Sequence, residues 1–186
     1  YQKDDFEPQK TMQLLDDLKK QMPSHSFINP VVDDVIEFIE PDQVNAVINQ
    51  SRVGLCLSSA EGAMLASMEY LLAGIPVVST DALGGRDVFA DPAYWVTVDD
   101  RADAVADGVA EMAKRTLDPH QVRGAVLEKI YAHRDRLRRT LIDMTDGAVR
   151  LPDDLGDPAY REPMKWVHGD VLADATLRLL RNSDPS

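Results

Sequence analysis

The central part of the chain alternates between apolar runs of strand length and a stretch of helical spacing. Residues 52–57 are a nearly continuous apolar run, as expected for a strand that is covered on both faces. Residues 75–80 are a second segment of strand length, with Pro76 tolerable near its start. Between them, residues 63–73 place apolar side chains at the spacing of an amphipathic helix, and Gly74 follows where a left-handed helix end is common. This order predicts a strand–helix–strand unit with parallel strands and a right-handed crossover.

Further segments of both kinds flank this unit. Helical spacing recurs at 8–22, 41–48, 102–115, 119–144 and 170–181. Short strands are predicted at 26–32, 35–39 and 94–98. Asp99 and Asp100 stand where they can cap the helix at 102–115. The alternation predicts an α/β fold, a Rossmann-like parallel sheet with helices on both faces.

The length of 186 residues is enough for one domain with its own hydrophobic core. We expect residues 1–145 to form the α/β domain. Residues 146–186, a loop rich in Pro and Asp followed by the last helix, are expected to pack on the same domain.

Composition excludes several classes of protein. The net charge of -12, from 20 Lys and Arg against 32 Asp and Glu, argues against a nucleic-acid binder, because such proteins cluster positive charge. The one cysteine, Cys56, lies in the first apolar run, which predicts a buried thiol and suits a cytoplasmic protein. No segment has the length and apolarity of a membrane span, and the histidines are scattered. We therefore predict no transmembrane segment, no metal site and no cofactor.

Two loops rich in small and polar residues are expected at one edge of the sheet. Residues 58–62 and 80–87 follow the two strands of the central unit, and the carboxyl ends of parallel strands meet at one edge. The first loop leads into a helix whose free N–H groups and positive dipole end favour an anion. Gly62 has no side chain at this point, so a phosphate can touch the backbone. The loops predict a site for a phosphorylated ligand.

Two carboxylates mark the first loop and its helix. Glu61 stands at the junction, and Glu69 lies eight residues later at the border of the apolar face. That face is formed by Met64, Leu65, Met68, Leu71 and Leu72. A partly dehydrated carboxylate accepts hydrogen bonds, so hydroxyl groups of a ligand are suitable partners. Simpler interpretations stay open, because acidic residues are common in a first helical turn and Glu69 can be merely exposed.

These loops and the helix between them resemble the donor-binding domain of GT-B glycosyltransferases, especially the retaining family-four group. The residues that carry the resemblance are Glu61-Gly62, Glu69, the Gly-Ile-Pro-Val-Val run at 74–78, and Gly84-Gly85. The resemblance implies the C-terminal half of a GT-B fold. It also implies binding of a nucleotide-diphospho-sugar, a UDP- or GDP-sugar, for retaining transfer. From spacing alone, Gly84-Gly85 fits a tight turn or a point of ligand approach.

The resemblance implies roles for single residues. Glu61, the candidate catalytic residue, would accept hydrogen bonds from hydroxyls of the donor sugar, and Glu69 would bind the ribose hydroxyls. The backbone that follows Gly62 would face the diphosphate or the sugar, at Ala63, Met64 and Leu65. In such enzymes the leaving diphosphate is thought to help deprotonate the acceptor, while the protein supplies orientation and charge stabilisation.

The chain departs from the family pattern in its cations and its extent. Lys10 is a candidate for the lysine that neutralises the diphosphate, with an ordinary surface lysine as the alternative. Arg86 can stand in for that charge, with a salt bridge to Asp87 or another neighbour as its alternative. The N-terminal acceptor domain of these enzymes is not in this chain. We therefore expect an acceptor domain or a partner chain, and no transfer by the isolated chain.

Two functions follow from the sequence. The first is the donor-binding part of a glycosyltransferase of the hexosyltransferase type. The second is a non-catalytic nucleotide-sugar-binding or regulatory module. A Walker phosphate loop and a Gly-x-Gly-x-x-Gly turn are absent from the sequence, which disfavours an unrelated nucleotide-binding α/β protein. The sequence does not name the sugar, since the residues after Gly62 differ from those of many relatives.

Overall fold

A computed structural model describes residues 8–28, 31–32, 35–36, 39–61 and 65–147. The chain divides into two compact units, residues 1–130 and residues 131–186. The predicted helix at 170–181 lies outside the described residues, and so does most of the loop before it.

The order of helices and strands confirms the predicted α/β alternation. The elements are α1 (Pro8–Gln21), β1 (Val31–Val32), β2 (Val35–Ile36), α2 (Pro41–Ile48), β3 (Gly54–Cys56), α3 (Leu65–Leu72), β4 (Val77–Thr80), β5 (Trp95–Val98), α4 (Ala102–Lys114) and α5 (Pro119–Met144). The described part of the second unit is the C-terminal part of α5 and a turn that ends at Gly147.

Three parallel strands form the central sheet, in the order β3-β4-β5. Val77 of β4 is paired with Gly54 of β3 on one side and with Trp95 of β5 on the other. Helix α3 connects β3 to β4, which confirms the strand–helix–strand unit, and Gly74 after it has the predicted left-handed φ of 80°. Strands β1 and β2 form a separate antiparallel pair.

The side chains of β4 alternate between two apolar clusters, one on each face of the sheet. Val77 belongs to the cluster that includes Leu71 of α3 and Val126 of α5. Val78 belongs to the cluster that includes Leu18 of α1 and Val105 of α4. All four residues of β4 are buried. Burial on both faces explains why Val77 and Val78 are apolar at successive positions in place of alternating with polar residues.

Helix α3 buries most of the face that the sequence predicts, because Leu71 is buried and Met68 and Leu72 pack against the same core cluster. Leu65 and Ser67 are the differences. Ser67 and Leu71, four residues apart, are buried, whereas Leu65 is 59% exposed. Glu69 is exposed as well, so the predicted partial dehydration of its carboxylate is wrong. Leu65 and Glu69 are four residues apart and therefore lie on the same side of the helix. The apolar residues of α3 surround most of its circumference, so periodicity alone does not select the buried side.

The predicted capping of α4 by Asp99 and Asp100 is wrong. The N-cap is Arg101, and its side chain makes no capping hydrogen bond. Asp100 instead forms an ion pair with Lys10 of α1. Helices α1 and α4 pack on the same face of the sheet, and this tertiary contact takes the carboxylate.

Lys129 of α5 holds the turn between β4 and β5. Its Nζ donates to the carbonyl oxygen of Ala90 at 3.0 Å and to the Tyr94 hydroxyl at 3.2 Å, and it pairs with Asp91 at 3.3 Å. The pKa of Lys129 is raised, because these bonds to Tyr94 and Asp91 outweigh the lowering effect of burial. The pKa of Asp91 is lowered, first by the backbone N–H of Ala93 and then by Lys129.

Lys129→Met is expected to lower the free energy of unfolding by about 1–2 kcal/mol at pH 7, because partly buried acceptors lose a charged donor. Urea denaturation measures the change. Lys114→Met, at an exposed lysine of α4, is the control and should stay within about 0.5 kcal/mol of the wild type. An equal loss in both variants would contradict the role of Lys129.

The contribution of this pair depends on pH with a definite sign. The contribution is fully present between pH 3.8 and pH 10.5, which are the ordinary pKa values of Asp and Lys. It falls as pH drops through the lowered pKa of Asp91, and it falls as pH rises through the raised pKa of Lys129. The difference between Lys129→Met and the wild type should therefore narrow in acid and in strong base.

Candidate functional site

The loops after β3 and β4 lie side by side, as the sequence predicts. The backbone N–H of Glu61 donates to the carbonyl oxygen of Leu83 at 2.9 Å, and the N–H of Leu83 donates to the carbonyl oxygen of Ser59 at 2.9 Å. Ala60 and Leu83 form an isolated parallel bridge. The pairing of the two strands thus continues into the loops, and it fixes the backbone at Glu61.

Gly84 is a point of close approach between these loops. Its φ is +111°, a conformation that residues with a side chain rarely adopt. A Cβ at this position would approach the Glu61 carbonyl oxygen more closely than the 3.0 Å that real Cβ contacts respect. The group that comes close to Gly84 is therefore the backbone of the neighbouring loop.

Arg86 is a buried cation at the carboxyl edge of the sheet, and only 3% of it is exposed. Its Nη1 donates to the carbonyl oxygen of Cys56 at 2.9 Å and to that of Thr80 at 3.4 Å. Its Nη2 donates to the carbonyl oxygen of Ser58 at 2.6 Å. The guanidinium therefore binds the ends of both β3 and β4.

The Glu61 carboxylate bonds to the same guanidinium. Its Oε1 accepts a hydrogen bond from the Ser58 hydroxyl at 2.7 Å and one from Arg86 Nη2 at 3.0 Å. Within the part of the chain that the structure describes, Oε2 has no hydrogen-bond partner, and the side chain is 27% exposed. The ion-pair interpretation of Arg86 is thus confirmed, with Glu61 as the partner in place of Asp87. One oxygen of Glu61 is held while the side chain still reaches solvent.

Ser58 is a site residue that the sequence analysis missed. Its hydroxyl bonds Glu61 and also contacts Arg86 Nη2, so it joins the two charged groups. A signal was present, since Ser58 stands three residues before Glu61. Ser-x-x-Glu is the spacing of a capping box, in which each side chain bonds the backbone N–H of the other residue. Here the Ser58 hydroxyl bonds the Glu61 carboxylate itself.

The remaining predicted ligand contacts are only partly described. Glu69 and Leu65 lie on the exposed side of α3. Exposure of Glu69 is the simpler of the interpretations that its spacing left open, and it does not prevent contact with a ligand. Gly62, Ala63 and Met64 lie outside the described residues.

Lys10 lies at the same edge of the sheet but is already paired. The hydroxyl of its neighbour Thr11 donates to the carbonyl oxygen of Leu57 at 3.5 Å, which places the start of α1 at the end of β3. The ammonium of Lys10 pairs with Asp100, and about half of the side chain, 54%, is exposed. The pair with Asp100 neutralises the charge of Lys10, so this lysine is less suited to a phosphate than an unpaired cation would be.

An open depression beside the ends of β4 and β5 is strongly acidic. The carboxylates that line it are Asp81, Asp99, Asp100, Asp107 and Glu111. Like charges repel, so this lining disfavours a diphosphate. Within the described residues, no three His, Cys, Asp or Glu side chains are grouped so that they could hold a metal ion. The depression is therefore poorly suited to the predicted diphosphate.

Cys56 contributes its carbonyl oxygen to the site, and its thiol is buried. Burial raises the pKa of this thiol to about 11, although Arg86 acts in the opposite direction. At pH 8 only about one thiol in a thousand is then ionised, and the thiolate is the reactive form.

DTNB is expected to leave Cys56 of the native protein largely unmodified at pH 8 over an hour. The same reagent should modify it completely within minutes in guanidinium chloride, where the thiol is exposed and its pKa is ordinary. Absorbance of the released thiolate follows the reaction. Equal rates for native and unfolded protein would contradict this position of Cys56.

In the described ranges, no helix combines the length and the apolarity of a membrane span.

Comparison with protein families matches residues 17–125 to the family described as Glycosyl transferases group 1. The match extends from α1 to α5 and includes β3, β4 and both loops of the candidate site. Comparisons with curated proteins and with solved structures found no match.

Proposed function

Because the chain belongs to the glycosyl transferases group 1, we propose that it binds a nucleotide-diphospho-sugar through Glu61 and Glu69. Membership makes the chain a glycosyltransferase domain, and its three parallel strands flanked by helices are the Rossmann-like α/β arrangement of a GT-B domain. The donor class and the residues that bind it are the new part of the proposal.

The half-buried carboxylate of Glu61 carries the proposal. It lies where the loops after two parallel strands meet, the place at which open α/β sheets bind ligands. A carboxylate only accepts hydrogen bonds, so it selects hydroxyl groups and rejects phosphate oxygens. Glu61 therefore suits the sugar of the donor and not its diphosphate.

The diphosphate has a separate candidate position at the start of α3. The chain after Glu61 leads to this helix, which begins at Leu65. Free N–H groups and the positive end of a helix dipole favour phosphate. Glu69, one turn further on the exposed side, is then suited to the ribose hydroxyls. Sugar, diphosphate and nucleoside would follow one another from Glu61 to Glu69.

The finer points of the reaction rest on the resemblance to the retaining family-four enzymes. We propose retaining transfer of a hexose, with the leaving diphosphate assisting deprotonation of the acceptor. The protein would contribute orientation and charge stabilisation. A second domain or a partner chain would hold the acceptor, and the reaction would take place in the cytoplasm.

Calorimetric titration with UDP-glucose, GDP-mannose, UDP and GDP tests the donor class. We expect the protein to bind the ligands of one base, uracil or guanine. Glu69→Gln should lower the affinity for the nucleoside diphosphate of that base about tenfold, because one or two hydrogen bonds to a charged group are lost. Glu128→Gln, at an exposed glutamate of α5, should leave affinity unchanged. No binding of any of the four ligands by folded protein would contradict the proposal.

A further inference from the structure

The positive charge of Arg86 does not reach a ligand at the surface of the site. The residue is 3% exposed, and its two terminal nitrogens are bonded to carbonyl oxygens at the ends of β3 and β4. Its Nε–H is also buried and has no partner among the described residues. A phosphate would have to open both loops to bond this guanidinium, so a direct role on the diphosphate is disfavoured.

Arg86 and Glu61 depend on each other. A buried guanidinium needs a nearby negative charge, because its removal from water costs hydration free energy. The Glu61 carboxylate supplies that charge at 3.0 Å. Arg86 Nη2 and the Ser58 hydroxyl both donate hydrogen bonds to Oε1 of Glu61, and these two bonds fix the orientation of the carboxylate.

We propose that Arg86 is a positioning residue, which acts on the donor sugar through Glu61 and does not bind the diphosphate. The carbonyl oxygens at the strand ends hold Arg86 in place. Arg86 in turn holds the side chain of Glu61 in a fixed position relative to the sheet. Ser58 has the same positioning role, because its hydroxyl contacts both Glu61 and Arg86. The inference rests on the proposed role of Glu61 in holding the sugar.

The positioning role predicts different effects on the affinity for a nucleotide sugar and on the affinity for a nucleoside diphosphate. If Arg86 acts through Glu61, its loss weakens a nucleotide sugar and spares the nucleoside diphosphate that lacks the sugar. If Arg86 bonds the diphosphate, or only supports the fold, both ligands lose affinity together. The ratio of the two dissociation constants is therefore the quantity to measure.

Arg86→Lys is the main variant, because lysine keeps the charge but has its donors on one nitrogen. It therefore cannot reproduce the fork in which Nη1 bonds the strand ends and Nη2 bonds Glu61. We expect its affinity for the nucleotide sugar to fall about tenfold or more, and its affinity for the nucleoside diphosphate to stay within about twofold. Ser58→Ala leaves the strand-end contacts of Arg86 in place and should give the same pattern with a smaller loss, about threefold to tenfold. It decides the question if Arg86→Lys does not fold.

Arg52→Lys is the matched control. Arg52 also donates to a backbone carbonyl oxygen, that of Ala113, at 2.9 and 3.1 Å, but it lies before β3, at the opposite end of the strand. This variant should change neither affinity. Circular dichroism and thermal unfolding establish that each variant is folded.

A double-mutant cycle completes the experiment. In a Glu61→Gln background, Arg86→Lys or Ser58→Ala should weaken nucleotide-sugar binding by no more than about a further twofold, because the group they position has lost its charge. Losses that multiply, or an equal loss of nucleoside-diphosphate affinity, would overturn the positioning role. A wild-type protein that binds neither ligand would instead overturn the proposed function, so the two failures are distinguishable.

Discussion

Gly84→Ala is expected to lower the affinity for a nucleotide sugar at least tenfold, and to lower the free energy of unfolding by about 2–4 kcal/mol. The new Cβ meets the carbonyl oxygen of Glu61, and the backbone conformation at +111° is itself unfavourable for alanine. Relief requires the two loops to separate. Separation displaces Glu61 from the position at which Arg86 and Ser58 hold it.

Gly147→Ala is the matched control for backbone strain. Gly147 also has a positive φ, +76°, but a Cβ there meets nothing within 4 Å. This variant should lose only about 1 kcal/mol of unfolding free energy and no affinity. Urea denaturation and calorimetric titration of the same samples give both quantities. If the two alanine variants behave alike, contact with the Glu61 backbone is not what Gly84 provides.

Gly54→Ala is expected to lower the free energy of unfolding by about 2–4 kcal/mol. A Cβ on Gly54 of β3 would lie 2.9 Å from Tyr70 Cε2 and closer still to Cδ2 and Cγ. Burial of Tyr70 is deep enough to raise the pKa of its hydroxyl to about 12. Tyr70 is partly buried and packs against the core cluster, so either its ring or α3 must shift away from the sheet.

A double-mutant cycle with Tyr70→Ala isolates this contact. Gly54→Ala should lose most of its effect, to less than about 1 kcal/mol, once the ring is absent. Gly124→Ala on α5, where a Cβ meets nothing within 4 Å, should be neutral or stabilise the protein by up to about 1 kcal/mol. An undiminished effect of Gly54→Ala without the ring would show that the strand backbone, and not Tyr70, resists alanine.

Both variants connect stability to the candidate site. Gly84 sets the distance between the loops, and Gly54 sets the distance between β3 and α3. Helix α3 carries Glu69 and follows the loop of Glu61. Glycine at positions 54 and 84 therefore allows the close packing of the strand, helix and loops that carry Glu61 and Glu69.

Local sequence determined the elements and their order. The long helix at 119–144 was predicted with the bounds of α5, and the central strand–helix–strand unit was predicted with Gly74 in its left-handed turn. Apolar periodicity, turn glycines and prolines act within a few residues, so they are legible without a structure. The predicted nearness of the two loops followed from the rule that parallel strands end at one edge.

Tertiary structure decided which side chains meet. Arg86 and Glu61 are 25 residues apart, and only the pairing of β3 with β4 brings them together. The buried side of α3 and the partner of Asp100 were equally set by packing between elements. Thus the sequence alone located a glutamate-bearing loop at the edge of a parallel sheet. The structure showed that this glutamate is held by a buried arginine, because burial and pairing depend on neighbours that are distant along the chain.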